Sequence, residues 1–311
     1  MISKSFIESI IESNYMIRIR SCLPDLKNEN SQIILQDEIH NIVREFSQNF
    51  IKIPTLKLIS VVTDLREEIN ALNSEFDNFL EIPSENAMGK TISWYSGDIC
   101  YSIILLNDYL GLALTRKGTD EYILSKSALI HELAHIVDEV NFNKQFGLWS
   151  DLRDKRWGNI RKFIARSFWS EFFAEKTASL YNSDKHIKDT IFYSINCLIE
   201  NSDIFFSELV HYKIYLSNNL LISRFIELHS VIFNQFGRAF GCLTSETGKK
   251  YRDEFFQRIC NYSKEWNILL NRANQIFVFN SHKLISEFDY ESLQKIIDDS
   301  FAMYDIDPNK Y

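Results

Sequence analysis

Several features that would fix a functional class are scarce in this 311-residue chain. Basic residues do not outnumber acidic ones, since 34 Lys and Arg stand against 42 Asp and Glu, for a net charge of −8. A phosphate-binding surface usually shows a basic excess, so we expect no nucleic-acid partner. The chain also lacks any run of about 18 apolar residues. We therefore expect neither a transmembrane helix nor a membrane partner.

The cysteines form no paired motif. They occupy positions 22, 100, 197, 242 and 260, and none belongs to a CxxC arrangement. An odd number of widely spaced cysteines is typical of reduced thiols, which predicts a cytoplasmic location. Glu8, Ser9 and Glu12 interrupt the apolar core that a signal peptide would need. We predict an amphipathic helix over residues 1–20 instead.

Glycine is unevenly distributed along the chain. Residues 1–88 contain none, whereas six of the nine glycines lie between positions 89 and 158. Turns and strands should therefore concentrate in the middle of the sequence. Two β-rich runs in KTISWYSGDICYSIILL flank Ser96-Gly97-Asp98, a composition typical of a hairpin turn. We predict a small antiparallel sheet here.

Helical periodicity dominates on both sides of this middle region. The apolar residues of LQDEIHNIVREFSQNF (35–50) share one helical face, and we expect residues 57–80 to continue the pattern. Apolar residues in 191–199 and 284–301 share faces in the same way. The chain is therefore predicted to be α+β and predominantly helical. Its predicted regions are N-terminal helices over 1–85, a core over 86–182 and C-terminal helices over 183–311.

The stretch LIHELAHIVDE, at residues 129–139, carries the strongest chemical signal. On an α-helix, residues four apart project from the same side, so His131 and His135 can bind a single metal ion. Glu132 lies roughly 100° further round the helix, where it can take a proton from a water that the ion activates. Zinc lowers the pKa of such a water to about 7, so a carboxylate is a sufficient base at neutral pH.

A surface helix with two solvated histidines is the alternative interpretation of this stretch. The residues around the motif are nevertheless uncharged from Ala128 to Val137, as in a buried helix, and Ser125 or Ser127 could cap its start. Burying charged-type side chains without a partner costs several kcal/mol. Because a metal ion is such a partner, we favour the metal site.

A catalytic zinc site normally has three protein ligands, so the two histidines are not sufficient. The metzincin pattern would need a histidine at 141 and a glycine at 138, but these positions hold Asn141 and Asp138. We expect Asp138 to be a surface residue or a cap. Cys100 could complete a deformylase-like site, although a strand cysteine is ordinarily a small hydrophobe. The downstream segment SFWSEFFAEKTASLY offers Glu171 and Glu175, four apart on a predicted helix.

HELAH at 131–135 followed by Glu171-Phe-Phe-Ala174-Glu175 resembles the gluzincin metallopeptidases. In that clan the first glutamate of an ExxA[D/E] segment on a second helix completes the zinc site. The resemblance covers about residues 90–182 and implies a zincin-like core with Glu171 as the third zinc ligand. It also implies that Glu175 accepts a hydrogen bond that orients a metal-bound histidine. Aspartate is commoner than glutamate at this last position.

These features together predict a zinc endopeptidase that binds one zinc ion per chain and uses Glu132 as general base. The expected substrate is a protein or peptide lying beside a strand within 99–107, because extended peptides pair with exposed sheet edges. The alternative is a regulatory or sensory protein in which the helical flanks bind a partner protein and cleavage is slow or absent.

Several other residues have two interpretations each. Glu171 and Glu175 could form a charged helix edge beside Lys176. His211 or Tyr181 could donate a hydrogen bond to a tetrahedral oxyanion, and the sequence does not select between them. A basic run could hold an acidic substrate or form a solvated face, and it comprises Arg153, Lys155, Arg156, Arg161, Lys162 and Arg166.

Overall fold

The computed structural model is predominantly helical with one small sheet, which confirms the predicted α+β class. It describes residues 15–50, 55–76, 88–96, 99–147, 157–215, 218–280 and 285–304. The chain divides into two compact units, which are Met1–Val140 with Tyr181–Ser183 and Asn141–Leu180 with Asp184–Tyr311. The three regions drawn from the sequence stay a prediction. No helix among the described residues has the length and apolarity that crossing a membrane requires.

The first unit is built on a four-stranded mixed sheet with the order β1-β2-β4-β3. Its strands are β1 (Met16–Arg20), β2 (Leu56–Val62), β3 (Gly89–Ser96) and β4 (Ile99–Asn107). Strands β1, β2 and β4 are parallel, and only β3 pairs antiparallel, in a register that places Thr91 opposite Ile104. The predicted hairpin is therefore confirmed, whereas the prediction of an antiparallel sheet is wrong. Gly97 and Asp98 of the predicted turn lie outside the described residues.

Strands β1 and β2 lie where the sequence analysis predicted helices. All seven residues of β2 are buried, and a strand buried on both faces has a continuous apolar run without two-residue alternation. Such a run cannot be distinguished from a buried helix by periodicity alone. The helical predictions for residues 16–20 and 57–62 are therefore wrong. Residues 1–14 and 77–80 of the same predictions lie outside the described part of the chain.

Helices cover both faces of the sheet in the first unit. One face packs against the helix Leu65–Phe76, where Leu58 and Ile103 join Ile69 in a buried cluster. On the other face, Gly111 lets its helix approach β2, because a Cβ there would lie 2.4 Å from Cγ1 of Val61. The helices are α1 (Pro24–Lys27), α2 (Glu29–Phe50), α3 (Leu65–Phe76), α4 (Asp108–Leu114) and α5 (Asp120–Phe146).

The HELAH sequence at residues 131–135 lies in the middle of α5. This helix begins at Asp120 and is capped by Thr119, whose Oγ1 accepts a hydrogen bond from the Tyr122 backbone N–H at 3.1 Å. Ser125 and Ser127, which we expected as caps, are buried inside the helix. The helix is longer than its motif predicted because its start is set by the turn at 115–119, where Gly118 has a φ of 87°.

The described residues of the second unit form helices joined by short turns, as predicted for the region after residue 185. Its core is rich in aromatic side chains, and the rings of Phe172 and Phe277 stack with their centroids 4.4 Å apart. Leu284 of the predicted C-terminal face lies outside the described residues. The helices are α6 (Trp157–Ala178), α7 (Asp184–Tyr215), α8 (Asn218–Leu243), α9 (Glu246–Lys249), α10 (Arg252–Tyr262), α11 (Lys264–Phe279) and α12 (Glu287–Ala302).

Helices α6 and α8 pack with their backbones unusually close. A Cβ on Gly237 would lie 2.5 Å from the carbonyl oxygen of Phe168 and 2.9 Å from Cβ of Glu171. A Cβ on Gly241 would lie 2.6 Å from the backbone nitrogen of Lys176 and 2.9 Å from Cβ of Glu175. The two glycines, four apart on α8, therefore allow α8 to contact the part of α6 that carries both glutamates.

Candidate metal site

The two histidines of α5 lie on the same face of the helix. Their Nε2 atoms are 3.0 Å apart, and the ring centroids are 4.7 Å apart in an edge-to-face arrangement. Leu129 and Leu133 of the same helix have no exposed surface, and His131 is only 9% exposed. The surface-helix alternative is therefore wrong, because this stretch of α5 is part of the core.

Strand β3 holds the carboxylate of Glu132. The Oγ1 atom of Thr91 lies 2.7 Å from Oε2 of Glu132 and 2.9 Å from its backbone carbonyl oxygen. Gly89 lies two residues earlier on the same face of the strand, and a Cβ there would be 3.1 Å from Oε1. Glu132 is 9% exposed, so the contacts with β3 rather than solvent fix the position of its carboxylate.

His131, His135 and Glu171 form a group of side chains that could hold a metal ion. One ligand atom from each of His131, His135 and Glu171 lies within 4.8 Å of the other two. Among the described residues, no other group of three or more His, Cys, Asp or Glu side chains meets this condition. The group does not include Glu175, Cys100 or Asp138. Asp138 is buried, at 2% exposure, so the expectation of a surface residue or cap at this position is wrong.

The donor set of this group suits a divalent metal ion. Two imidazole nitrogens and a carboxylate oxygen are the ligand types that zinc accepts, and other first-row divalent ions accept them as well. Two ring nitrogens 3.0 Å apart cannot both point a lone pair at the other without a proton or a cation between them. The residues present therefore fit a metal ion, and its identity as zinc belongs to the proposal below.

The chain was compared with known proteins at the level of sequence and of structure. No family model, curated protein or solved structure matches it. The resemblance to gluzincins therefore depends on the motif residues themselves. The zincin-like core and the gluzincin assignment stay predictions.

Glu175 lies inside the second unit, in contact with α8. Its Oε2 atom is 3.4 Å from Nε of Arg238, and its Oε1 atom is 3.5 Å from Sγ of Cys242. Burial, followed by the charge of Glu175, raises the pKa of the Cys242 thiol well above its usual range, so the thiol keeps its proton and donates it. With 2% exposure and a cationic partner, Glu175 does not belong to a solvated charged edge. Its role in orienting a histidine stays a prediction.

The sequence did not predict the residues that contact Glu132 and Glu175. Thr91 lies 41 residues before Glu132, and Arg238 lies 63 residues after Glu175. No spacing rule connects residues so far apart, because only the folded sheet and the packed helices bring them together. Gly89 was the one available signal, since it ends a glycine-free stretch of 88 residues.

The strand that we expected to bind a peptide is not available. Strand β4 spans residues 99–107 and pairs with β2 on one side and β3 on the other, so it has no open edge. Strand β3 pairs with β4 alone among the described strands. The open edge beside Glu132 is therefore that of β3. The expected pairing of a peptide with a strand within 99–107 therefore finds no open edge on β4, and the place of a substrate stays a prediction.

Tyr181 and two arginines of the basic run, Arg161 and Arg166, each contact a different part of the protein. The ring of Tyr181 lies beneath Lys126, whose Nζ atom is 4.9 Å from the ring centroid. Arg161 pairs with Asp298 at 2.7 Å, and Arg166 is buried against the ring of Phe142. These two arginines do not share one solvated face. The side chain of His211 lies outside the described part of the chain, as do Arg153, Lys155 and Arg156.

Proposed function

We propose that this protein is a zinc-dependent endopeptidase that hydrolyses peptide bonds in a protein or peptide substrate. The observation that carries the proposal is the meeting of the His131 and His135 Nε2 atoms at 3.0 Å, with Glu132 next in sequence and its carboxylate held by β3. His131, His135 and Glu171 would hold the zinc ion, since their ligand atoms converge. A cytoplasmic location and a regulatory partner on the helical flanks belong to the same proposal.

The chemistry divides between the ion and Glu132. When bound, zinc lowers the pKa of a water molecule and polarises a carbonyl group. The carboxylate of Glu132 accepts a proton from the attacking water and then delivers it to the leaving amine. Because Glu132 is largely buried, its charge acts in a medium of lower dielectric constant than water. An intact base with a fixed carboxylate favours hydrolysis over a role in binding alone.

The open edge of β3 supplies a place for the substrate. An extended peptide that pairs with this edge forms main-chain hydrogen bonds, which give affinity with little demand on sequence. Gly89 and Thr91 belong to the same strand and lie against Glu132. A peptide on β3 would therefore lie next to the strand residues that contact the base.

The proposal predicts that some single substitutions remove the metal ion, whereas another keeps the metal ion and removes only hydrolysis. Wild-type protein should contain about one zinc ion per chain, and His131→Ala, His135→Ala and Glu171→Ala should each lose most of it, because two protein ligands rarely retain zinc. Glu132→Gln should keep the metal and lose hydrolysis by several orders of magnitude, because an amide cannot accept the proton. Elemental analysis and mass-spectrometric detection of cleavage in a peptide library provide the two measurements.

Two further variants sharpen this experiment. Cys100→Ala is the matched control and should keep both zinc and activity, whereas a deformylase-like site would lose its metal. Glu175→Gln should weaken zinc affinity or activity by only about 10–100-fold, as is typical for a group that touches a ligand rather than the ion. Full zinc occupancy in the His131→Ala/His135→Ala double variant, or a wild-type rate in Glu132→Gln, would contradict the proposal.

A further inference from the structure

The hydroxyl group of Thr91 faces two acceptors at once. Its Oγ1 atom lies within hydrogen-bond distance of both the carboxylate and the backbone carbonyl of Glu132, at 2.7 and 2.9 Å. A threonine hydroxyl has a single proton, so it can donate to only one of them at a time. A hydrogen bond to a charged carboxylate is shorter and stronger than one to a neutral carbonyl. The proton of Thr91 therefore belongs to Oε2 whenever Glu132 is ionised.

Thr91 is itself held rigidly by the sheet. Its backbone pairs with Ile104 of β4, whose side chain has no exposed surface. The β-branched threonine side chain also has few allowed rotamers, so its hydroxyl cannot swing away at little cost. Gly89 leaves room for Oε1 on the same side of the strand, where any Cβ would lie 3.1 Å from that atom. Strand β3 thus fixes Oε2 of Glu132 through the Thr91 hydrogen bond. It leaves space for Oε1 because Gly89 has no side chain.

We propose that Thr91 is a positioning residue for the general base: its hydroxyl holds Oε2 of Glu132 so that Oε1 takes the proton of the attacking water. This inference rests on the function proposed above. It differs from the assignment of Glu132 itself, because the Thr91 hydroxyl contacts the carboxylate of Glu132 and takes no proton from the water. Its effect reaches the chemistry only through the orientation of one carboxylate.

The variants Thr91→Val and Thr91→Ser test this role. Valine has nearly the shape of threonine but no hydroxyl, whereas serine restores the hydroxyl without the methyl group. We expect Thr91→Val to keep its zinc and its KM while kcat falls about 10–100-fold, the size of effect seen when a supporting hydrogen bond to a site residue is removed. Thr91→Ser should recover most of the lost kcat. A wild-type kcat in Thr91→Val, or equal impairment of both variants, would overturn the inference.

Thr63 provides a matched control within the same unit. Its hydroxyl donates to the buried carboxylate of Asp108 at 2.6 Å, so Thr63→Val removes a bond of the same chemical type away from Glu132. We expect this variant to keep its kcat even if its stability falls. An equal loss of kcat in Thr63→Val and Thr91→Val would show that the effect is general destabilisation, and the inference would be wrong.

A measurement without catalysis completes the test. Unfolding of the metal-loaded wild type, Thr91→Val, Glu132→Ala and the double variant forms a double-mutant cycle, and non-additive free energies of unfolding are expected because the two side chains are in contact. Additive values would overturn the inference. If wild-type protein cleaves no peptide, the proposed function fails, whatever the cycle shows. If wild type cleaves and Thr91→Val cleaves equally well, the positioning role alone fails.

Discussion

Gly89 has no Cβ at a point where one would press on the carboxylate of Glu132. The distance from such an atom to Oε1 of Glu132 would be 3.1 Å, which is shorter than an ordinary van der Waals contact. The φ angle of Gly89 is not among the positive values, so alanine is compatible with its backbone. Glycine at this position therefore makes room for the Glu132 carboxylate, and the backbone conformation does not require it.

This contact predicts that Gly89→Ala lowers kcat while zinc content stays unchanged. The added methyl group displaces the carboxylate by a few tenths of an ångström, and small misplacements of reacting groups are costly to rate. The free energy of unfolding should change by less than about 1.5 kcal/mol, because only a side chain has to give way. Gly89→Val should lower kcat further. Steady-state kinetics beside elemental analysis measures both, and a wild-type kcat in the valine variant would contradict this account.

The sequence predicts single residues well only where the chain itself fixes their spacing. His131, Glu132 and His135 share one helix, so helical geometry determines their relation before any packing is known. Glu171 followed only from a family resemblance, since no rule of helix geometry reaches across the 36 residues from His135. Thr91 and Arg238 could not be predicted at all, because tertiary packing brings each to its glutamate.

At the scale of secondary-structure elements, the contact of α6 with α8 determines where the two glutamates of α6 lie. Gly237 and Gly241 face the backbone of α6 at distances that no larger residue allows. Arg238 and Cys242, each one position further along α8, then reach the carboxylate of Glu175. The close approach of the two helices and the buried hydrogen bonds to Glu175 are therefore parts of one contact.

We predict that Gly241→Ala destabilises the protein by about 1–3 kcal/mol. Alanine favours a helix by about 1 kcal/mol over glycine, but the new methyl would meet backbone atoms of α6, which cannot rotate away as a side chain can. Zinc affinity should fall as well, because α6 carries Glu171. Denaturant unfolding and zinc titration measure the two effects.

Gly158→Ala is the control and should be neutral or stabilising, since nothing lies within 4 Å of its Cβ position. Unchanged stability in Gly241→Ala would contradict the close packing.

The two wrong helical predictions, for residues 16–20 and 57–62, both fall on strands. β2 is buried along its whole length, so its sequence LKLISVV shows no alternation that periodicity could detect. In β1, by contrast, MIRIR does alternate, because Ile17 and Ile19 are each followed by an arginine, Arg18 and Arg20. That alternation predicts a strand, so the prediction of a helix over residues 1–20 did not follow the pattern at its C-terminal end. The long amphipathic helix α2 was predictable because one face is apolar and the other polar.

At the scale of the whole molecule, pH should affect stability through a histidine far from α5 in sequence. His229 is 1% exposed and is surrounded by the rings of Phe225, Trp266 and Phe301. Burial lowers the pKa of His229 to about 3, against the opposing effect of its hydrogen bond to the carbonyl oxygen of Phe225. The imidazole is therefore neutral in the folded protein at physiological pH.

This pKa predicts that acid weakens the fold. Between about pH 3 and about pH 6.5 the unfolded chain binds a proton at His229 that the folded chain does not. The resulting stability is fully present above about pH 6.5 and falls with a slope of up to about 1.4 kcal/mol per pH unit as the pH drops. His229→Phe should flatten this dependence in urea unfolding at about pH 7.5 and about pH 4.5. The same slope in both proteins would contradict the assignment.

The pairing of β4 with β2, and of α6 with α8, also bears on how the protein can be divided. A fragment limited to residues 86–182 would expose the edge of β4 that β2 covers, and it would lose the helix that seats Glu171 and Glu175. The segment that carries the motif residues is therefore shorter than the part of the chain that positions them: the first spans residues 131–175, and the second draws on elements from β2 through α8. The shortest fragment that keeps the site intact must include both of those elements.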